Sequence, residues 1–240
     1  MSIDPASMLQ AAQAPGARPA GSLRRVLVAG ATGRLGEALL NEVLARGGFD
    51  DVVALAEGDA TMSLGLRGLS LAPLHALPPL DAVLIAQTMA DAPDARSFHG
   101  RDAPFALVDP VQMPRIAQAA AAAGARSLVL VHPLPAWQQL SALHLGLSGA
   151  GELSIAQMPF ADVIVLRPVA ASASAAGSWL QRVAHVYLSL QLLMMPRSLP
   201  VLTSPQVARA AVDLLREPPP GVTVMGAARI AERLERGGRG

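Results

Sequence analysis

The stretch Arg25-Val26-Leu27-Val28-Ala29-Gly30-Ala31-Thr32-Gly33-Arg34-Leu35-Gly36-Glu37-Ala38-Leu39-Leu40 decides how this chain is read. A short apolar run enters a glycine turn, and a helical apolar pattern follows at once. That order predicts a buried strand, a tight loop and a helix N-terminus. The glycines fall at Gly30, Gly33 and Gly36, a GxxGxxG spacing rather than the more widespread GxGxxG. In a loop that holds a dinucleotide, the first glycine makes the sharp turn. A glycine without Cβ lets the backbone approach the pyrophosphate, and the last lets the helix pack closely on the strand. The free N–H groups and positive dipole end of the helix then face the phosphates. Thr32, Arg34 and Leu35 complete the candidate set in this loop. The same glycines also suit a turn in an α/β protein that binds nothing.

One such unit in 240 residues suits a single α/β domain over residues 23–240, behind a flexible leader at 1–22 rich in Ala, Pro, Gly and Ser. The chain is 52% hydrophobic and 15% charged, ample for a large core. A net charge of +1 argues against a nucleic-acid partner, which calls for clustered basic residues. Cysteine is absent, which excludes disulfides and thiolate chemistry. All 19 basic residues are arginine, so no Schiff base, Walker lysine or Tyr-x-x-x-Lys pair exists. No run has the length and purity of a transmembrane segment. The leader has no apolar core after a basic start, so a cytoplasmic location is expected.

Outward from the loop, residues 25–29 read as a strand and 37–46 as a helix closed by Gly47-Gly48. Residues 51–56 read as the second strand, with Glu57 just past it. Such folds place an acid near there against the ribose hydroxyls, usually about 20 residues after the loop, and Glu57 lies somewhat farther. It suits that role or that of a solvated loop acid. An acid there repels a ribose 2′-phosphate, while Arg34 attracts one; the balance leans to NAD over NADP. Residues 58–80 read as loop with a short strand at 69–74. Residues 81–86 are a buried strand ending in Gln87-Thr88, polar groups where the crevice of such a sheet lies. Asp109-Pro110 reads as a helix cap and first turn, with Pro114 predicting a kink or a later start, and Gly124 ends the helix.

Residues 127–131 form a strand ending at His132-Pro133, and 138–157 a mixed helical stretch broken by Gly146, Gly149 and Gly151. Residues 162–166 are another strand, before Arg167-Pro168. Residues 178–195 are apolar and read as a helix over the crevice or in a homodimer contact; too little charge marks them for a membrane surface. Thr203-Ser204-Pro205 caps a helix through Leu215, Pro218 to Pro220 end it, and a strand at 222–224 precedes a helix at 227–235. Strands alternating with helices predict an α/β fold: a three-layer, doubly wound, mostly parallel sheet.

At this point the sequence resembles the atypical short-chain dehydrogenase/reductase family, comprising NmrA-like and nucleoside-diphosphate-sugar-epimerase-like proteins. The resemblance rests on Val26 to Gly36, Asp81-Ala82-Val83-Leu84-Ile85-Ala86, Ala123-Gly124-Ala125-Arg126 and Leu166-Arg167-Pro168, and spans most of residues 24–216. It implies a NAD(P)-binding Rossmann fold with NAD or NADP bound, and brings Pro168 into the cofactor set. In active members a tyrosine moves a proton, a lysine four residues on lowers its pKa, and a serine after the preceding strand orients the substrate. Counted back from Arg167-Pro168, the Tyr/Lys pair falls on His144 and Ser148, and the serine on His132 or Pro133. The single tyrosine, Tyr187, has Gln191 four residues on.

His132 and His144 are therefore the candidate acid–base residues, since imidazole works near neutral pH; each also suits a structural or surface role. No metal-ligand spacing is present. Gly146-Leu147-Ser148-Gly149-Ala150 lacks the final glycine and leading strand of a nucleophile elbow, so hydrolase chemistry is rejected. Two readings survive. One is a non-classical or regulatory dinucleotide-binding protein. The other is an NAD(P)-dependent oxidoreductase, epimerase or isomerase using a histidine. The small, apolar residues at 133–160 and 170–200 suggest a small apolar substrate or a protein partner.

Overall fold

The computed structural model describes residues 24–46, 48–59, 62–63, 68–87, 105–134, 146–147, 149–169 and 200–237. The leader at 1–22, Gly47, Thr88, His144, Ser148 and the apolar stretch 178–195 lie outside these residues. In chain order the elements are β1 (Arg25–Ala29), α1 (Gly33–Arg46), β2 (Asp51–Leu55), β3 (Met62–Ser63), β4 (Leu69–Ala72), a 3-10 turn (Leu74–Ala76) and β5 (Ala82–Ala86). Then follow α2 (Met113–Ala122), β6 (Ser127–Val131), α3 (Ala150–Ala156), β7 (Asp162–Arg167), α4 (Ser204–Arg216), β8 (Gly221–Gly226) and α5 (Ala227–Gly237).

The strands make one sheet in the order β3-β4-β2-β1-β5-β6-β7-β8. Every adjacent pair is parallel except β3 with β4. Parallel strands covered on both faces need apolar residues at every position. Val26 to Ala29, Val83 to Ala86 and Leu128 to Val131 meet that need, each nearly or fully buried. Strand parity sorts them into two cores. Val26, Val28, Leu84, Val129 and Leu166 pack with Leu39 and Val43 of α1, Leu214 of α4 and Ile230 of α5. Leu27, Ile85, Leu130 and Val165 pack with Ile116 and Ala120 of α2 and Ile155 of α3. This is the three-layer, doubly wound α/β sandwich the sequence pattern predicts.

Aspartates opening the strands hold the sheet's amino edge in register. Arg25 Nε meets Asp51 Oδ2 at 2.6 Å, and the Arg25 N–H donates to Asp81 Oδ2 at 2.7 Å. Farther along, Ser127 Oγ donates to Asp162 Oδ2 at 3.1 Å. These contacts align β1 with β2 and β5, and β6 with β7.

Several boundaries move. Helix α1 begins at Gly33, inside the glycine loop, and not at residue 37. The strand expected at 69–74 stops at Ala72, because Pro73 has no N–H to continue the ladder, and a 3-10 turn takes over. Strand β3 was not expected. Asp109-Pro110 form a turn ahead of α2, in which Asp109 Oδ1 accepts the Gln112 N–H at 2.7 Å; the helix starts later, with Pro114 in its first turn. Gly151 does not break a helix but lies in the first turn of α3, where an added Cβ would touch the Pro114 ring at 3.6 Å. Strand β8 extends to Gly221–Gly226. No helix among the described residues is long and apolar enough to cross a membrane.

Candidate functional site

The glycine loop is built as its three glycines require. Gly30 takes a φ of 78°, and a Cβ there would run into the carbonyl oxygen of Ala86, the last residue of β5. Gly36 sits so tightly under the turn that a Cβ would strike the Gly30 carbonyl and the Ala31 backbone. Packing alone therefore fixes both residues as glycine. Gly33 is different. Its φ is 68°, yet no described atom lies within 4 Å of where its Cβ would stand. Among the described residues, nothing occupies the place over Gly33 that a side chain would fill, at the N-terminus of α1. The first turn of α1 carries no acidic residue. Within that turn its N–H groups and dipole end thus have no acidic side chain beside them, a setting suited to an anion. Thr32 is nearly buried beside this loop, while Arg34 is exposed and Leu35 half-buried.

The loop sits where the strand order reverses: β1 has β2 on one side and β5 on the other. In open α/β sheets, ligands bind in the crevice at such a switch point, beyond the carboxyl ends of the strands. Gln87 follows β5 there. Its N–H donates to the Val131 carbonyl at 3.0 Å, which ties the end of β5 to the end of β6. Its side-chain Oε1 is buried with no hydrogen-bond partner among the described residues. A buried acceptor left unpaired costs about 1–3 kcal/mol, so this amide is suited to a ligand's hydroxyl or amide donor. Glu57 stands exposed beyond β2, after Ala56 bridges to Phe105. Pro168 is buried at the end of β7. Thr88 and His144 belong to the residues not described.

His132 follows β6, and parity places it. Val131 pairs with Leu166, and both face the α1/α4 core. One step on, His132 and Arg167 therefore lie on the opposite face, under α2 and α3. There they meet Glu152 of α3. The Glu152 carboxylate takes His132 Nδ1 at 3.1 Å on one oxygen and Arg167 Nη2 at 2.5 Å on the other. Glu152 and Arg167 are 3% and 1% exposed, while the His132 side chain keeps 20% of its surface. The backbone holds the histidine too: its N–H donates to the Leu166 carbonyl at 2.8 Å, and Leu134 continues the pairing onto Pro168 at 2.9 Å.

The sequence reading singled out His132 but missed Glu152, and it quoted Arg167 without a role. The signal available was weak: one acid in a stretch otherwise short of charge. Among the described residues, no group of three or more His, Cys, Asp or Glu side chains is placed to hold a metal ion.

No protein-family model matches the chain, and no curated protein matches it. Solved structures do. A Rossmann-fold NAD(P)-binding family protein from Shigella flexneri is similar over 85% of this chain and 93% of its own, with a TM-score of 0.51 and 14% identity. The Bordetella bronchiseptica enzyme WbmG, in complex with NAD, is similar over 90% of this chain and 78% of its own, with a TM-score of 0.49 and 20% identity. The reductase domain of a non-ribosomal peptide synthetase from Mycobacterium tuberculosis is similar over 94% and 71%, with a TM-score of 0.47 and 17% identity. The first likeness, with the sheet order above, gives the fold as Rossmann type. At such identity it speaks for the fold alone.

Proposed function

We propose that this chain binds NAD or NADP at the carboxyl edge of β1 and β5, in the manner of the atypical short-chain dehydrogenase/reductases, without their Tyr–Lys chemistry. The observation that carries this reading is a Gly33 with no described atom over it at the N-terminus of α1, framed by Gly30 and Gly36, which packing fixes as glycines. The residues present fit such a ligand. The α1 N-terminus would hold its phosphates, the buried Gln87 Oε1 would accept a donor, and Glu57 would take the ribose hydroxyls. Glu57 against Arg34 sets the preference, which we assign to NAD. A cytoplasmic location, a homodimer and a small apolar substrate or protein partner belong to the same reading.

A bound nicotinamide supplies a hydride donor or acceptor. Proton handling must then come from this chain, which has no lysine and whose only tyrosine is Tyr187. His132, half-buried at the sheet's carboxyl edge, favours an active oxidoreductase or epimerase over a regulatory binder. In that reading Nε2 of His132 would take the hydroxyl proton of a substrate alcohol and the imidazolium would pass it to water, while the cofactor would serve as the hydride acceptor.

The test is calorimetric titration with the oxidised and reduced forms of both cofactors, read alongside nicotinamide absorbance. Saturable binding with slow oxidation of the reduced cofactor, abolished by His132→Ala, supports the enzyme. Binding of one redox form with no turnover supports the regulatory version. No binding at millimolar concentration overturns both.

A further inference from the structure

We infer that Glu152 is a positioning residue: it fixes the His132 ring so that Nδ1 carries the proton and Nε2 stands bare as the proton acceptor. The inference deepens the reading of His132 above and rests on it.

The argument starts with the donor inventory. Arg167 is a permanent cation that only donates, so the buried acid it meets on one oxygen is a carboxylate, and the other oxygen has no proton to offer His132. At 3.1 Å the remaining contact needs a proton, and Nδ1 must supply it. A neutral imidazole holding its proton on Nδ1 has a lone pair on Nε2, across the ring from Glu152. The arrangement is also stiff. Arg167 is anchored in β7, and Glu152 stands on α3, a turn away from buried Ile155. The His132 backbone is hydrogen-bonded into the sheet. A histidine serving packing alone would not need a carboxylate that is itself held by a buried guanidinium.

Two-bond 1H–15N correlation spectra of the histidine side chains in the full-length protein read the tautomer directly. The His132 signal is assigned by its loss in His132→Gln. In the pH range where the ring is neutral, the inference expects Nδ1 to carry the proton and Nε2 to be bare. In the double variant Glu152→Met with Arg167→Met, which replaces the pair by apolar side chains, the proton should move to Nε2. Saturation with NAD should shift the Nε2 resonance of the wild type. A wild-type spectrum with the proton on Nε2 overturns the inference, even if the double variant does not fold. An unchanged tautomer in the folded double variant overturns it too. An Nε2 resonance unmoved by bound NAD removes His132 from the site. Failure of NAD to bind is read separately by calorimetry and defeats the proposed function, whatever the tautomer.

Discussion

Gly36 and Gly33 are glycines for different reasons, and one methyl group separates them. An alanine at 36 pushes into the Gly30 carbonyl and the Ala31 backbone, which cannot move without reopening the turn. Gly36→Ala should cost about 3 kcal/mol of stability, as overpacking does, read as a lower urea midpoint at unchanged slope. An alanine at 33 meets no described atom, so Gly33→Ala should cost only the roughly 1–2 kcal/mol of a left-handed alanine. Dinucleotide affinity should nevertheless fall at least tenfold, about 1.4 kcal/mol, in a calorimetric titration. In the proposed reading, cofactor choice rests on single residues as well. Glu57→Ala should narrow the preference for NAD over NADP, and Arg34→Ala should widen it, each by several-fold in the ratio of dissociation constants. The backbone of the loop was legible in the sequence because the tasks of Gly30 and Gly36 are local: a turn, and a helix against its own strand. Glu152 was not. Hydropathy would bury Leu153 and expose Glu152, yet Leu153 is 49% exposed and Glu152, on the face of buried Ile155, 3%. Its counter-ion Arg167 lies on strand β7, and no local pattern announces such a partner.

At the scale of elements, the Glu152–Arg167 pair joins α3 to β7 beneath the sheet's carboxyl edge. Removing one member leaves a buried charge without its counter-ion, so Arg167→Met alone should destabilise by about 3–5 kcal/mol. Replacing both by methionine should cost much less, because the lost attraction is offset by the desolvation no longer required. A double-mutant cycle by chemical denaturation measures that difference as strong coupling. The N-terminus of α4 offers a local contrast. Gln206 Oε1 accepts the Thr203 N–H at 2.9 Å, a cap the Thr-Ser-Pro sequence made visible. Other ends were harder to read. Asp109 bonds to the Gln112 N–H and looks like a cap, yet the chain turns once more before α2 begins. An aspartate that folds back on a nearby N–H serves a turn and a helix equally well. Strand β3, only two residues long, exists because β4 offers it a ladder, and so leaves no apolar run to find.

For the molecule as a whole, the alternation of apolar strands and helices was enough to predict a doubly wound sheet, since strands buried on both faces are apolar throughout. The order of the strands decides where chemistry can occur. With β2 and β5 flanking β1, the crevice opens above Gly30, and Gln87 and His132 stand at the ends of the next two strands. At about 4.8 Å per strand, His132 lies roughly 10 Å across the sheet from the glycine loop. One ligand bound at its phosphates by α1 can thus present its reactive end to a second site. The measurement that tests this account most directly is calorimetric titration of the wild type and Gly33→Ala with NAD and NADP. The account predicts saturable binding by the wild type, tighter for NAD, and at least tenfold weaker binding by a Gly33→Ala protein that remains folded. No binding by the wild type at millimolar cofactor, or equal binding by the two proteins, would contradict it.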